Sequence, residues 1–192
     1  MILVIYSHPN PKSFNHAVLT EVVRIGEAQG AEVVVRDLYE LNFQPVLSGE
    51  ELVGHSAEGN ISLDVLKEQE YITRASCILF VFPIWWFGLP AILKGYIERV
   101  FSYGFAYHMG PEGIEGLLKT KKVGIVNTTG GTGDQYVGRG LDKAVLKTID
   151  DGIFRFCGMK VAFHKILYAV PTISQMAREK MIDDLKKLFF LL

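Results

Sequence analysis

Five consecutive apolar residues, Ile2 to Tyr6 (ILVIY), open the chain. Their lack of any polar alternation constrains the fold more than any other feature, because a strand apolar at every position has to be covered on both faces. Runs of the same kind return as CILFVF from Cys77 and KVGIVN from Lys122. After the first run a helical period starts at His16, passes through Val18, Val22 and Ile25, and is stopped by Gly30; a second strand follows at residues 31–36, AEVVVR. Such a β-loop-α-β unit needs a crossover, and crossovers of this length join parallel strands.

The remainder keeps the rhythm. Residues 37–60 mix acidic residues, glycine and proline without a period, longer than a compact domain usually leaves unstructured, which marks a functional or partner-contacting segment rather than a helix. Residues 62–74 read as a helix with Val65, Gln69 and Ile72 on one face. The helix after Pro90 turns Leu93, Tyr96, Ile97 and Val100 inward and Lys94 and Glu98 outward. Leu141, Val145, Ile149 and Ile153 recur every four residues as a further helix, residues 159–170 form strand five, and Ser174 caps a closing helix with Ala177, Met181, Leu185 and Leu188 inside. Five strands alternating with helices, with no linker and no repeat, predict one domain over residues 1–192. The expected architecture is a doubly wound, three-layer α/β fold with a flavodoxin-like parallel sheet in the order 2-1-3-4-5.

Composition excludes several functions. The chain has 192 residues, 49% hydrophobic and 21% charged, and no stretch reaches the ~20 uninterrupted apolar residues of a membrane helix. MILVIYSHP lacks the basic start and cleavage site of a signal peptide, so a cytoplasmic protein is expected. Twenty Lys and Arg against 21 Asp and Glu give a net charge of -1, with no footprint for nucleic acid. Cys77 and Cys157 stand alone among apolar residues and read as buried, reduced thiols; no His/Cys/Asp cluster has metal spacing.

Chemistry is expected in three loops that leave the carboxyl ends of strands one, three and four and converge on one sheet edge. SHPNPKSFN precedes a helix start, where unpaired N–H groups and the dipole favour a phosphate; Ser13 and Asn15 can donate hydrogen bonds, and Lys12 and His8 can add charge. The alternative reading of Ser13 or Asn15 is a simple helix cap, with His8 packed. The second loop sets Ile84, Trp85, Trp86 and Phe87 between Pro83 and Gly88, too many large side chains in a turn for all to point inward. The third, TTGG, offers hydroxyls and unobstructed backbone N–H groups to the edge of a polar ring. A phosphate tail, a flat aromatic slot and a donor-rich rim match flavin mononucleotide, and the absence of any catalytic dyad leaves the chemistry to an organic cofactor.

Four segments, SHPNPKSFN, FPIWWFGLPAILKGYIERVF with GFAY, NTTGGTGDQY and FRFCGMKV, resemble the flavodoxin-like NAD(P)H:quinone oxidoreductases of DT-diaphorase type, including ancillary oxidoreductases of bacterial potassium efflux systems. The resemblance covers residues 1 to about 178. It implies that His8, Ser13, Phe14 and Asn15 hold the flavin phosphate and adjoining groups. Pro83, Ile84, Trp85, Trp86 and Phe87 would lie along the isoalloxazine, with Thr128, Thr129, Gly130 and Gly131 bonding its polar edge. Tyr136 matches the catalytic tyrosine near the flavin N1/O2 edge, and Trp86, Phe87, Tyr107 and His108 match the part that sandwiches nicotinamide or quinone, closed by a second subunit. Arg178 falls where long members contact the adenine end of FAD. Asp142 replaces the histidine that partners the family tyrosine, Met109 a second pocket tyrosine, and Trp85 a glutamine.

The resemblance therefore implies a homodimer that carries FAD, or alternatively FMN, and passes hydride from NADH or NADPH to a quinone or another flat acceptor in one shared slot. A flavin-bound regulatory subunit of a membrane potassium antiporter and a one-electron flavodoxin carrier are the rivals.

Overall fold

The computed structural model describes residues 1–54 and 61–189. Chain order runs β1 (Ile2–Tyr6), α1 (Phe14–Ala28), β2 (Val33–Asp37), α2 (Gly49–Gly54), α3 (Leu63–Arg74), β3 (Cys77–Pro83), α4 (Ala91–Val100), β4 (Tyr107–Gly110), β5 (Gly113–Gly116), β6 (Lys122–Thr128), α5 (Gly133–Val137), α6 (Leu141–Leu146), a π-helical stretch Lys147–Arg155, β7 (Lys160–Leu167) and α7 (Gln175–Leu185). Five strands make one parallel sheet in the order β2-β1-β3-β6-β7. Counting only those five, this is the expected order 2-1-3-4-5.

The all-apolar strands are buried on both faces. From β1, Leu3 and Ile5 join the cluster under α3, α4 and the π-helical stretch, while Ile2, Val4 and Tyr6 face α1 and α7. Each such residue taken fully out of water contributes roughly 1.5–3 kcal/mol, so β1, β3 and β6 anchor the molecule. Val65, Gln69 and Ile72 of α3, and Leu93, Tyr96 and Val100 of α4, are buried as their spacing requires; Ile97 is only partly covered. Cys77 and Cys157 are buried free thiols, each pushed up to about 12 by desolvation.

Three features depart from the sequence expectation. Residues 107–116 form an antiparallel hairpin, β4–β5, outside the main sheet. The segment 37–60 contains a short helix, α2, and its residues 55–60 lie outside the described residues. The four-residue repeat from Leu141 to Ile153 spans a change of helix type. In an α-helix a step of four overshoots a full turn, so a strict repeat drifts around the axis; the wider π turn undershoots and brings Ile149 back to the face of Val145.

Candidate active site

The three loops do converge. Ser13 is the N-cap of α1: its Oγ accepts from His16 N–H at 3.2 Å, as the cap reading required, and lies 3.4 Å from the Tyr6 hydroxyl. Asn15 sits in the first turn of α1 and is buried, and its Nδ2 donates to Thr128 Oγ1 at 2.7 Å, joining the first loop to the third. Its Oδ1 is buried without a partner. Ile84 N–H donates to the Thr128 carbonyl at 2.8 Å, joining the second loop to the same residue. Thr128 is thus the junction of all three.

His8 accepts a bond at Nδ1 from Asn10 N–H at 3.0 Å, and its ring lies 5.9 Å from that of Trp85. Desolvation is the main cause that holds it below its usual pKa and so disfavours a charged ring at this position.

The aromatic stretch is a two-residue hairpin. Trp85 and Gly88 exchange backbone bonds, Trp85 N–H to Gly88 O at 3.2 Å and Gly88 N–H to Trp85 O at 3.0 Å, and the two residues between them, Trp86 and Phe87, have φ of +50° and +59°. Tight hairpins of this hand favour Asn and Gly at those positions. Each bulky residue there costs about 1–2 kcal/mol. The strain turns rings outward: Trp86 is 99% exposed, Phe87 47% and Trp85 38%. Pro83 and Ile84 are buried, Ile84 within the core, so the flat surface consists of the three rings that follow.

On the third loop both threonine hydroxyls are engaged within the protein. Thr128 Oγ1 accepts from Asn15, and Thr129 Oγ1 donates to Gly131 O at 2.7 Å. Thr129 N–H donates to Leu167 O and Ala169 N–H to Gly131 O, fastening the loop to the end of β7. The hydroxyls chiefly shape the loop, and space for a ligand comes from glycine. A Cβ on Gly130 would meet nothing within 4 Å, whereas one on Gly131 would stand 3.0 Å from the Tyr136 ring and from Gln135 Oε1. Thr132 and Gln135 form a capping box that starts α5 and so orients Tyr136. The Tyr136 ring packs 5.4 Å from Phe87 and 5.6 Å from Tyr168, and burial raises its phenol above the usual value.

Two groups of expected residues extend beyond this cluster. Tyr107 and His108 are on β4; their partners are Tyr103 and Phe156 for the tyrosine and Glu115, at 3.7 Å, for the histidine. Phe14 and Arg178 line a cavity of about 730 Å³ between α1 and α7, with Lys12, Ser13, Pro171 and Glu179. Arg178 Nη1 donates to Val170 O at 3.0 Å and its Nε to Gln175 Oε1 at 3.4 Å, which fixes the guanidinium at the cavity wall. Among the described residues no group of three His, Cys, Asp or Glu is placed to hold a metal.

The flavodoxin-like fold family profile matches residues 1–189. The chain is 34% identical to rat NAD(P)H dehydrogenase [quinone] 1 across 96% of its own length and 74% of that protein's. It belongs to the flavodoxin-like NAD(P)H:quinone oxidoreductase family. An uncharacterized NAD(P)H oxidoreductase of Haemophilus influenzae is 39% identical over 94% of this chain and 90% of that one. The solved NAD(P)H:quinone oxidoreductase of Methanothermobacter marburgensis superposes with a TM-score of 0.85 at 28% identity, covering 97% and 93% of the two chains.

Within this member of the quinone oxidoreductase family, sequence reasoning passed over Tyr168. It closes the row of rings Phe87, Tyr136, Tyr168, and its phenol is raised by burial first, then by Asp142 and Tyr136. Its position just before Ala169, a non-glycine residue at φ +57°, was the available signal only once that backbone was known. Asp142 has one carboxylate oxygen buried without a partner.

Proposed function

We propose that the chain is a flavin-dependent NAD(P)H:quinone oxidoreductase. The observation that carries this reading is the strained Trp86–Phe87 hairpin beside a glycine-opened rim, on the sheet edge that also ends in a helix N-terminus. The residues fit a flavin on three counts. Asn15 Oδ1 is a buried acceptor lacking a donor, Gly130 faces open space, and the N–H groups at the start of α1 suit a phosphate. A bound flavin supplies two-electron hydride exchange between nicotinamide and a flat acceptor.

The protein's own part is orientation. Trp86 and Phe87 offer ring faces against which the substrate lies, and their apolar surface excludes water. Tyr136, kept protonated at neutral pH by its raised phenol, is a hydrogen-bond donor toward the rim, where it stabilises charge developing on the ring edge. Asp142 acts on the neighbouring phenol of Tyr168, which it helps to raise. FAD is favoured over FMN because the cavity between α1 and α7 continues from Ser13 and Phe14 with room for a nucleotide and with Arg178 at its wall. A homodimer is favoured because Tyr107 and His108 stand away from the aromatic turn of their own chain, so a second copy is the natural source of the closing wall.

The protein forms one domain in this reading. Purified protein mixed with FAD and FMN should retain a yellow chromophore and then oxidise NADH or NADPH when a quinone is added. Failure to retain either flavin after desalting overturns the function.

A further inference from the structure

A polar group crosses the core directly behind the site. His164 on β7 sits in register with Ile125 of β6, and its side chain is 2% exposed. Its Nδ1 lies 2.6 Å from Asp150 Oδ1, which comes from the π-helical stretch, and its Nε2 is in close contact with Asn127 Oδ1. Asn127 is fully buried, and its Nδ2 donates to the Phe82 carbonyl of β3 at 3.5 Å.

The hydrogen bonds fix the orientation of the amide. Both ring nitrogens face an oxygen, whereas a neutral imidazole carries a single N–H. Turning the Asn127 amide over would give Nε2 a donor but would set Oδ1 against the Phe82 carbonyl, oxygen to oxygen. With the amide held as it stands, Nε2 donates to Asn127 Oδ1 and Nδ1 shares a hydrogen bond with Asp150 Oδ1, so the ring is bonded on both sides. A buried polar bridge contributes little net stability compared with a well-packed apolar core. What it does provide here is direction: it ties the π-helical stretch, β7, β6 and β3 together at one level.

That level is the base of the site. Asn127 immediately precedes Thr128, the junction of the three loops, and Phe82 immediately precedes Pro83 and Ile84, from which the aromatic hairpin rises. We propose that Asp150, His164 and Asn127 form a buried bridge that positions the ends of β6 and β3, so that His164 is a positioning residue for the ligand rim and the aromatic turn. That the rim serves a flavin rests on the function proposed above. The bridge also accounts for the widened helix, since the π-helical register is the one in which Asp150 meets the ring, and such turns recur at functional sites.

Two measurements test it. In flavin-free protein, nitrogen-15 NMR of the His164 ring is expected to show both ring nitrogens hydrogen-bonded, and Asp150→Asn to shift the Nδ1 resonance more than the Nε2 one. A ring with either nitrogen free of a hydrogen bond in the unaltered protein overturns the bridge. The second measurement is flavin affinity by fluorescence quenching. His164→Phe is expected to weaken binding about tenfold or more, while Arg99→Met, which destabilises the fold far from these loops, keeps the original affinity. If His164→Phe does not fold, His164→Asn, too short to reach both partners, replaces it under the same criterion. Unchanged affinity in the folded variant overturns the positioning role. If the unaltered protein binds no flavin at all, the function proposed above fails, and the bridge is then decided by the ring's hydrogen bonds alone.

Discussion

Two irregular segments of this molecule look alike in sequence and differ in physics. Residues 38–54 and residues 84–88 both break the βα rhythm, and both suggested function. The longer segment is satisfied from within. Asp37 Oδ1 accepts from Tyr39 N–H and Glu40 N–H, and Arg99 of α4 reaches into the segment to bind Glu51 at 2.6 Å, the Gln44 carbonyl at 2.7 Å and, from α3, Asp64 at 2.7 Å. The shorter segment holds two aromatic residues at positive φ and exposes the rings. One irregularity is a piece of structure clamped by buried charge; the other is strain retained for the surface it presents. Length of loop alone did not distinguish them.

The largest effect that would break this contrast is at the clamp. Arg99→Met leaves the buried Glu51 carboxylate unpaired and is expected to cost about 3–5 kcal/mol in urea unfolding, with turnover per folded molecule intact. A loss of flavin binding in proportion to stability would show that the clamp belongs to the site after all.

Acid titrates the same clamp. The Arg99 hydrogen bond, opposed by burial, lowers Glu51 from its usual 4.5 to about 2. A depressed carboxylate contributes stability above its unfolded pKa and loses it as the pH falls through the folded one. Stability should therefore decline as the pH drops from about 4.5 toward 2, and Arg99→Met should flatten that decline. An equal slope in both proteins would remove Glu51 from the account.

Gly95 is the next test. A Cβ there would stand 2.0 Å from the Pro45 carbonyl, so Gly95→Ala has to push residues around 45 off α4. A loss of about 1–3 kcal/mol is expected from such overpacking, again without change in ligand affinity.

The smallest effect has the opposite sign. Trp86→Gly relieves a positive φ and, after the entropy cost of glycine, should stabilise by up to about 1 kcal/mol, while NAD(P)H oxidation becomes several-fold less efficient. A variant that is neither more stable nor less active would mean that the hairpin is ordinary surface.

Parts of this were legible in advance for a definite reason. ILVIY, CILFVF and KVGIVN carry their burial in every residue, so strand identity and parallel order needed no partner to be known. Ser13 and Ser174 as caps are equally local, since a cap bonds three residues along. The β4–β5 hairpin escaped because YHMG and GIEG hold three glycines and no alternation, and its place depends on Gly116 packing against Cys157 and Gly158. The threonines of TTGG announced hydroxyls, but only the fold shows Asn15 and Gly131 already bonded to them.

By itself, then, the sequence determined the layers, the strand order and the edge where the loops gather, because apolar periodicity is a property of neighbours along the chain. The tertiary structure decided how that edge is built: which aromatic residues the strained turn exposes, that Thr128 joins three loops, and that His164 bridges Asp150 and Asn127. Those contacts join residues 14 to 113 positions apart, where no local pattern records the pairing.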